Sequence, residues 1–122
     1  HDYVNAFGKQ VPAEKKAEMR EKYPVVVHPL VARHPETGRK HLYNNPIFMN
    51  DILGVSPAES DALKAELWRE SHNVEYQCRF KWEDDSVAFW DNRSCQHYAS
   101  SDYWPEIRIM ERASIVGTRP SR

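Results

Sequence analysis

The sequence lacks several things that would have narrowed its class at once. It has no long apolar run: nothing approaches the roughly 20 residues that a membrane-spanning helix needs. It lacks an excess of either charge. Lys and Arg number 17 against 18 Asp and Glu, a net charge of -1, so the electrostatic footprint of a nucleic-acid binder is missing. Cysteine is scarce, and Cys78 and Cys95 form neither a CxxC nor a Cys-His zinc spacing, which reads as two reduced thiols in a cytoplasmic protein. Glycine occurs only four times, and no Gly/Ser-rich linker or internal repeat divides the chain. The opening HDYVNAF has no basic end followed by an apolar stretch, so it does not read as a signal peptide. The first residue is His1, not methionine, and the expectation is a truncated chain.

What is present is the composition of a folded domain. Forty per cent of the 122 residues are apolar and 29% charged, enough for one domain with a modest core. Residues 12–22 are strong helix formers between Pro12 and Pro24, mostly charged, and predict a solvated surface helix. VVVHPLVAR (25–33), a Pro/Gly turn in HPETGRK (34–40) and HLYN (41–44) predict a hairpin, with Pro29 at an irregular or edge position. Ser56-Pro57-Ala58-Glu59 is a capping-box sequence with proline at the first helical position. It predicts a helix over 56–72 with Ala62, Leu63, Ala65 and Leu67 on its apolar face.

The second half alternates. Val74, Tyr76, Cys78, Phe80 and Trp82 fall on one side of VEYQCRFKW, and Glu75, Gln77, Arg79 and Lys81 on the other, the pattern of a half-buried strand. A turn at Glu83-Asp84-Asp85 leads to a second strand over 86–90, and EIRIMERASIV (106–116) predicts a third. Strands with inserted helices suit a mainly β (α+β) fold of the sandwich or jelly-roll kind. These strands alone make half of one, with uncovered edges, which also points to a C-terminal part of a larger domain.

Six histidines are available as metal ligands. Two histidines and one carboxylate form the facial set that leaves a metal open to oxygen and substrate, two of them often as His-x-Asp or His-x-Glu. Only His34-Pro35-Glu36 has that spacing. Its Thr37-Gly38 continuation makes it a hairpin turn, where a metal pair would lack rigid convergent placement. His97 follows a predicted strand within WDNRSCQHYA (90–99); from spacing alone it is a packed or surface residue as readily as a ligand. Arg108 and Arg112, four apart, share a face of the predicted strand with Met110 between them. Either that face is solvated, or it is interior and its guanidinium forks hold carboxylate or sulfonate oxygens. A helix would also put both on one side, but Pro105 precedes a run rich in isoleucine and valine.

Trp90-Asp91-Asn92-Arg93, His97, then Arg108-x-Met110-x-Arg112 resembles the C-terminal signature of the taurine dioxygenase family of Fe(II)/2-oxoglutarate-dependent oxygenases. Upstream, VVHPLVARHPETGRKHLYNNPIF resembles the same family's HP…HPxTGRK segment, and the likeness runs over about residues 24–119. The resemblance implies a partial double-stranded β-helix (jelly roll), with residues 1–122 its C-terminal half. It implies His97 as a ligand of Fe(II), Arg108 as the anchor of 2-oxoglutarate, Arg112 as the partner of the substrate's acidic group and Phe48 as an aromatic lining the substrate pocket. Trp90 matches a packing tryptophan near the metal, and HPETG matches a structural turn. QHYA and the Asp102-Tyr103 pair lean toward the taurine enzymes.

The implied activity consumes O2 and 2-oxoglutarate and hydroxylates a small sulfonate such as taurine, giving sulfite, aminoacetaldehyde, succinate and CO2. Alternatives are an alkyl sulfate or other organic-acid dioxygenase, or a non-catalytic anion-binding remnant. A small anionic substrate, no nucleic acid, no membrane and a possible homo-oligomer complete the expectation. No segment here matches the family's His-x-Asp pair, so this stretch alone is expected to be inactive.

Overall fold

The computed structural model describes all of residues 1–122. Its regular elements all lie in the first 76 residues: α1 (Tyr3–Phe7), α2 (Ala13–Lys22), β1 (Val31–Arg33), β2 (Lys40–Leu42), α3 (Pro57–Ser71) and a 3-10 turn (Val74–Tyr76). None of the helices is long and apolar enough to cross a membrane. Six of the 122 residues are buried, and Val4 and Ala32 are the apolar ones among them. With so little apolar area removed from water, local hydrogen bonding rather than a shared core explains which segments are ordered.

Each element has a visible local cause. Asp2 caps α1, its carboxylate accepting from Asn5 N–H at 3.0 Å. α2 is the solvated helix that its charges predict, with no buried residue. Ser56 and Glu59 form the full capping box of α3, with Pro57 opening the first turn. The side of α3 turned inward is not the predicted apolar stripe. Ser60 is buried, Lys64, Leu67 and Ser71 are half-buried, and Ala62, Leu63 and Ala65 are exposed. Polar groups decide this: Ser60 Oγ accepts from Ile52 N–H at 2.9 Å, and Lys64 Nζ donates to Asn50 C=O at 2.5 Å.

The hairpin forms with Val31 opposite Leu42, Ala32 opposite His41 and Arg33 opposite Lys40, an antiparallel pair shorter than the apolar run predicts. Residues 25–30 stay outside it, consistent with Pro29 having no N–H to give a ladder. The turn closes through His34 N–H to Arg39 C=O (2.9 Å) and Gly38 N–H to His34 C=O (2.8 Å). Gly38 sits at φ +69°, where a side chain would be strained.

The predicted strands of the second half do not form. Residues 74–76 are a 3-10 turn, and 77–82, 86–90 and 106–116 pair with nothing; the Glu83–Ser86 turn is present. A mainly β architecture is therefore not what these residues build: the one sheet has two short strands. The physical reason is that a strand, unlike a helix, cannot satisfy its own backbone, and no matching edge lies within the chain. The single tie from the far end is an isolated bridge between Arg33 and Ser121.

Candidate functional site

The segment around WDNR is the best-fastened part of the second half. Asp91 is its centre. Arg93 donates Nε to both carboxylate oxygens of Asp91 (2.9 and 3.0 Å) and Nη2 to one of them (2.7 Å), a bidentate grip reinforced by the Arg93 backbone N–H at 2.9 Å. His34 reaches the same carboxylate through Nε2 at 2.9 Å. Arg93 also faces Glu36, at 3.6 Å. The hydrogen bonds from Arg93, and then from His34, hold the Asp91 carboxyl well below the usual carboxylate range, and Asp91 in turn raises Arg93. Five residues on, Gln96 Nε2 donates to the Asn44 C=O at 2.8 Å, just past β2. Asn44 is itself buried and its amide donates to Leu67 C=O in α3.

His97 follows that second tie. Its ring is exposed and stands 4.9 Å from the Trp90 ring, tilted by 54°. Trp90 is held by its indole N–H donating to Asn92 Oδ1 at 2.8 Å. Arg108 is exposed, its guanidinium 6.0 Å from the centre of the Tyr103 ring. Arg112 is exposed. None of the three has a side-chain hydrogen bond or ion pair, and the strand that would put both arginines on one face is absent. Phe48 lies elsewhere, half-buried against Tyr3 and Phe7 (ring centres 6.3 and 5.5 Å), in a turn where Asn45 Oδ1 accepts from Ile47 and Phe48 N–H. The structure thus does not gather the four predicted site residues into a single cavity.

The His34-Pro35-Glu36 match resolves as a turn. His34 Nδ1 accepts from the backbone N–H of Glu36 and Thr37, both at 3.2 Å, which leaves the proton on Nε2 for Asp91. Both ring nitrogens are committed. Sequence reasoning assigned no role to Asp91, Arg93 or Gln96; the charged pair two apart in Asp91-Asn92-Arg93 was the available signal.

The model of the "Taurine catabolism dioxygenase TauD, TfdA family" matches residues 1–114. The chain belongs to this family. Among similar proteins, an alkylsulfatase of Acinetobacter baylyi is 35% identical over 113 residues, covering 93% of this chain and 35% of that protein. An alpha-ketoglutarate-dependent sulfate ester dioxygenase of Pseudomonas putida is 40% identical over 76% of this chain and 31% of its own length. An alpha-ketoglutarate-dependent sulfonate dioxygenase of Saccharomyces cerevisiae is 38% identical over 77% of the chain and 23% of its own. The chain spans about a quarter to a third of these relatives.

The TauD family implies a bound iron, and the donor set can be tested against it. No group of three or more His, Cys, Asp or Glu side chains here is placed to hold a metal ion. His97 offers a free imidazole, while His34, the histidine that has a carboxylate partner, has neither nitrogen to spare. Of the residues matched to the family's site, His97 is the one metal donor, and alone it does not complete a metal site.

Proposed function

We propose that this chain is the C-terminal part of an Fe(II)- and 2-oxoglutarate-dependent dioxygenase acting on a small sulfur oxyanion, a sulfonate such as taurine or an alkyl sulfate ester. The observation that supports it most is the spacing Trp90-Asp91-Asn92-Arg93, His97, Arg108-x-Met110-x-Arg112 inside a family match covering residues 1–114. In this reading a bound iron would supply the oxidising chemistry: 2-oxoglutarate loses CO2 and takes one atom of O2 to become succinate, and the other oxygen atom becomes the substrate's new hydroxyl. The segments 77–82, 86–90 and 106–116 become strands of a double-stranded β-helix once paired with partners outside residues 1–122. Pairing puts Arg108 and Arg112 on one face, as residues i and i+4 of a strand.

The protein's own share is binding and orientation. His97 would hold the metal through one imidazole nitrogen. Arg108 holds the far carboxylate of 2-oxoglutarate, and Arg112 holds the substrate's sulfonate or sulfate, each through a planar fork that suits paired oxygens. Phe48 gives the substrate's carbon chain an apolar wall. Two arginines rather than one are needed because two anions must be bound in distinct places.

The two substrate readings differ in product. Hydroxylating the carbon beside a sulfonate gives an unstable adduct that falls apart to an aldehyde and sulfite. Hydroxylating the carbon beside a sulfate ester releases an aldehyde and sulfate. The names of the Acinetobacter and Pseudomonas relatives favour the ester; that of the yeast relative favours the sulfonate. The test is incubation of the full-length enzyme with Fe(II), 2-oxoglutarate and either taurine or a medium-chain alkyl sulfate, reading succinate together with sulfite or sulfate. Arg108→Ala should mainly weaken 2-oxoglutarate and Arg112→Ala mainly the sulfur substrate, each by about 2–5 kcal/mol. No succinate above background with any sulfur oxyanion, or equal losses for both ligands from either variant, would sink the reading.

A further inference from the structure

In the second half of the chain, long-range polar contacts are few, and they concentrate on one short stretch. Asp91 is tied to His34 and Arg93 to Glu36, both on the hairpin turn, and Gln96 is tied to Asn44 at the exit of β2. Residues 91 and 96 are thus both tied to the hairpin and the residues just past it. The hairpin's turn is itself closed by backbone bonds, and Arg33 Nη1 donates to Gly38 C=O at 2.7 Å. His97 is the next residue after the second pin, and Trp90, just before the first, lies against its ring.

We propose that His34 and Asp91 are positioning residues: they form a latch from the HPETG turn to the 90–97 segment that fixes where the His97 imidazole stands. The proposal rests on the reading of His97 as a metal donor. His34 suits this role because its two nitrogens do different jobs. Nδ1 shapes the turn by accepting from Glu36 and Thr37, and Nε2 carries the turn's rigidity across 57 residues of sequence to Asp91. Arg93 keeps the Asp91 carboxylate oriented, so the acceptor is already in place when His34 reaches it. Outer partners that orient a metal-binding histidine typically change metal affinity about 10- to 100-fold when removed.

The two jobs can be separated. In His34→Asn the short amide still accepts from the turn N–H groups and no longer reaches Asp91. In His34→Gln the amide nitrogen extends to about where Nε2 stands, so the latch is kept and the turn acceptor lost. Amide hydrogen exchange over residues 92–98 in the metal-free full-length protein reads the latch. A Co(II) titration followed by its absorption spectrum reads its consequence. His34→Asn should lose protection at 92–98 and bind Co(II) about 10- to 100-fold more weakly, and His34→Gln should recover most of both. Unchanged exchange and affinity in His34→Asn, with His97→Ala still weakening Co(II), overturns the latch and leaves the metal reading standing. Equal losses in His34→Asn and His34→Gln also overturn it, because the turn alone would then be at work. Should His97→Ala leave Co(II) affinity untouched, the metal reading itself falls and takes the positioning role with it.

Discussion

Residues 1–76 and 77–122 are similarly apolar, and the second is the richer in aromatics, yet the first holds every helix and strand of the molecule and the second holds none. The difference lies in where each segment's partners are. A helix satisfies its backbone within four residues, and the hairpin pairs neighbours across a six-residue turn. The alternating runs of the second half need an edge that arrives from elsewhere. The residues with the strongest claim to function, His97, Arg108 and Arg112, sit in the half that cannot order itself.

The sharpest way to break this comparison is a core-type truncation in the dependent half. Ile107 is 87% exposed here. In the isolated 122-residue chain, Ile107→Ala should change stability by less than about 0.5 kcal/mol, as surface changes do. In the full-length protein, with the strand paired and covered, the same change should cost about 2–5 kcal/mol. Chemical denaturation of both proteins checks it. Similar values in both would mean that the segment never becomes part of a core, and the proposed β-helix would fail with it.

This contrast also shows how far the sequence could be read. The helix at 57–71 was legible because its start is written in four consecutive residues, Ser56 to Glu59, whose chemistry is local. The hairpin was legible through Pro35 and Gly38, although its strands came out three residues long. Alternation from Val74 to Trp82 predicts that one face is buried, yet Val74, Tyr76, Cys78, Phe80 and Trp82 are all exposed here. The alternation does not say against what, and a pattern of period two has no structure until a second strand supplies hydrogen bonds. The candidate site residues are legible through resemblance, whereas the meaning of the Asp91 network depends on His34, 57 residues away, which spacing does not connect.

Within the self-sufficient half, the next largest effect should come from Ser60. It is the most buried polar side chain, and its hydroxyl is the acceptor for Ile52 N–H. Ser60→Ala removes that acceptor and leaves a partly buried donor unpaired, for a loss of about 1–3 kcal/mol. Urea denaturation of the variant tests this; a loss below the precision of the measurement would mean that water replaces the hydroxyl and that α3 is not fastened there.

Ser56→Ala should cost somewhat less, about 1 kcal/mol, by opening the capping box of α3. The pH dependence sharpens it. Hydrogen bonds from Ser56 lower the Glu59 carboxyl below its ordinary value. The contribution is therefore complete above the ordinary glutamate pKa of about 4.3 and fades as pH falls through the lower, folded value. Helix content followed by circular dichroism should fall with acid in the parent over that range, and less steeply in Ser56→Ala. An identical acid profile would place the box's stabilisation in the serine alone.

The smallest effect belongs to His28, because its ring is only half-buried. It packs edge-on to the His1 and Tyr43 rings, and its Nδ1 has no partner. Burial first, then the positive amino terminus and Arg119, hold its pKa below the usual histidine value. The sign follows from which state takes the proton sooner. As pH falls past about 6.5 the unfolded chain is protonated before the folded one, so the stability present above that pH is lost on the acid side. His28→Phe fills the same space without a titrating nitrogen. Urea midpoints measured at about pH 7.5 and pH 5.5 should therefore lie closer together in the variant than in the parent. If the two spacings are equal, the ring is hydrated on both sides of the titration and the cluster of His1, His28 and Tyr43 is a surface stack rather than a packed corner of the fold.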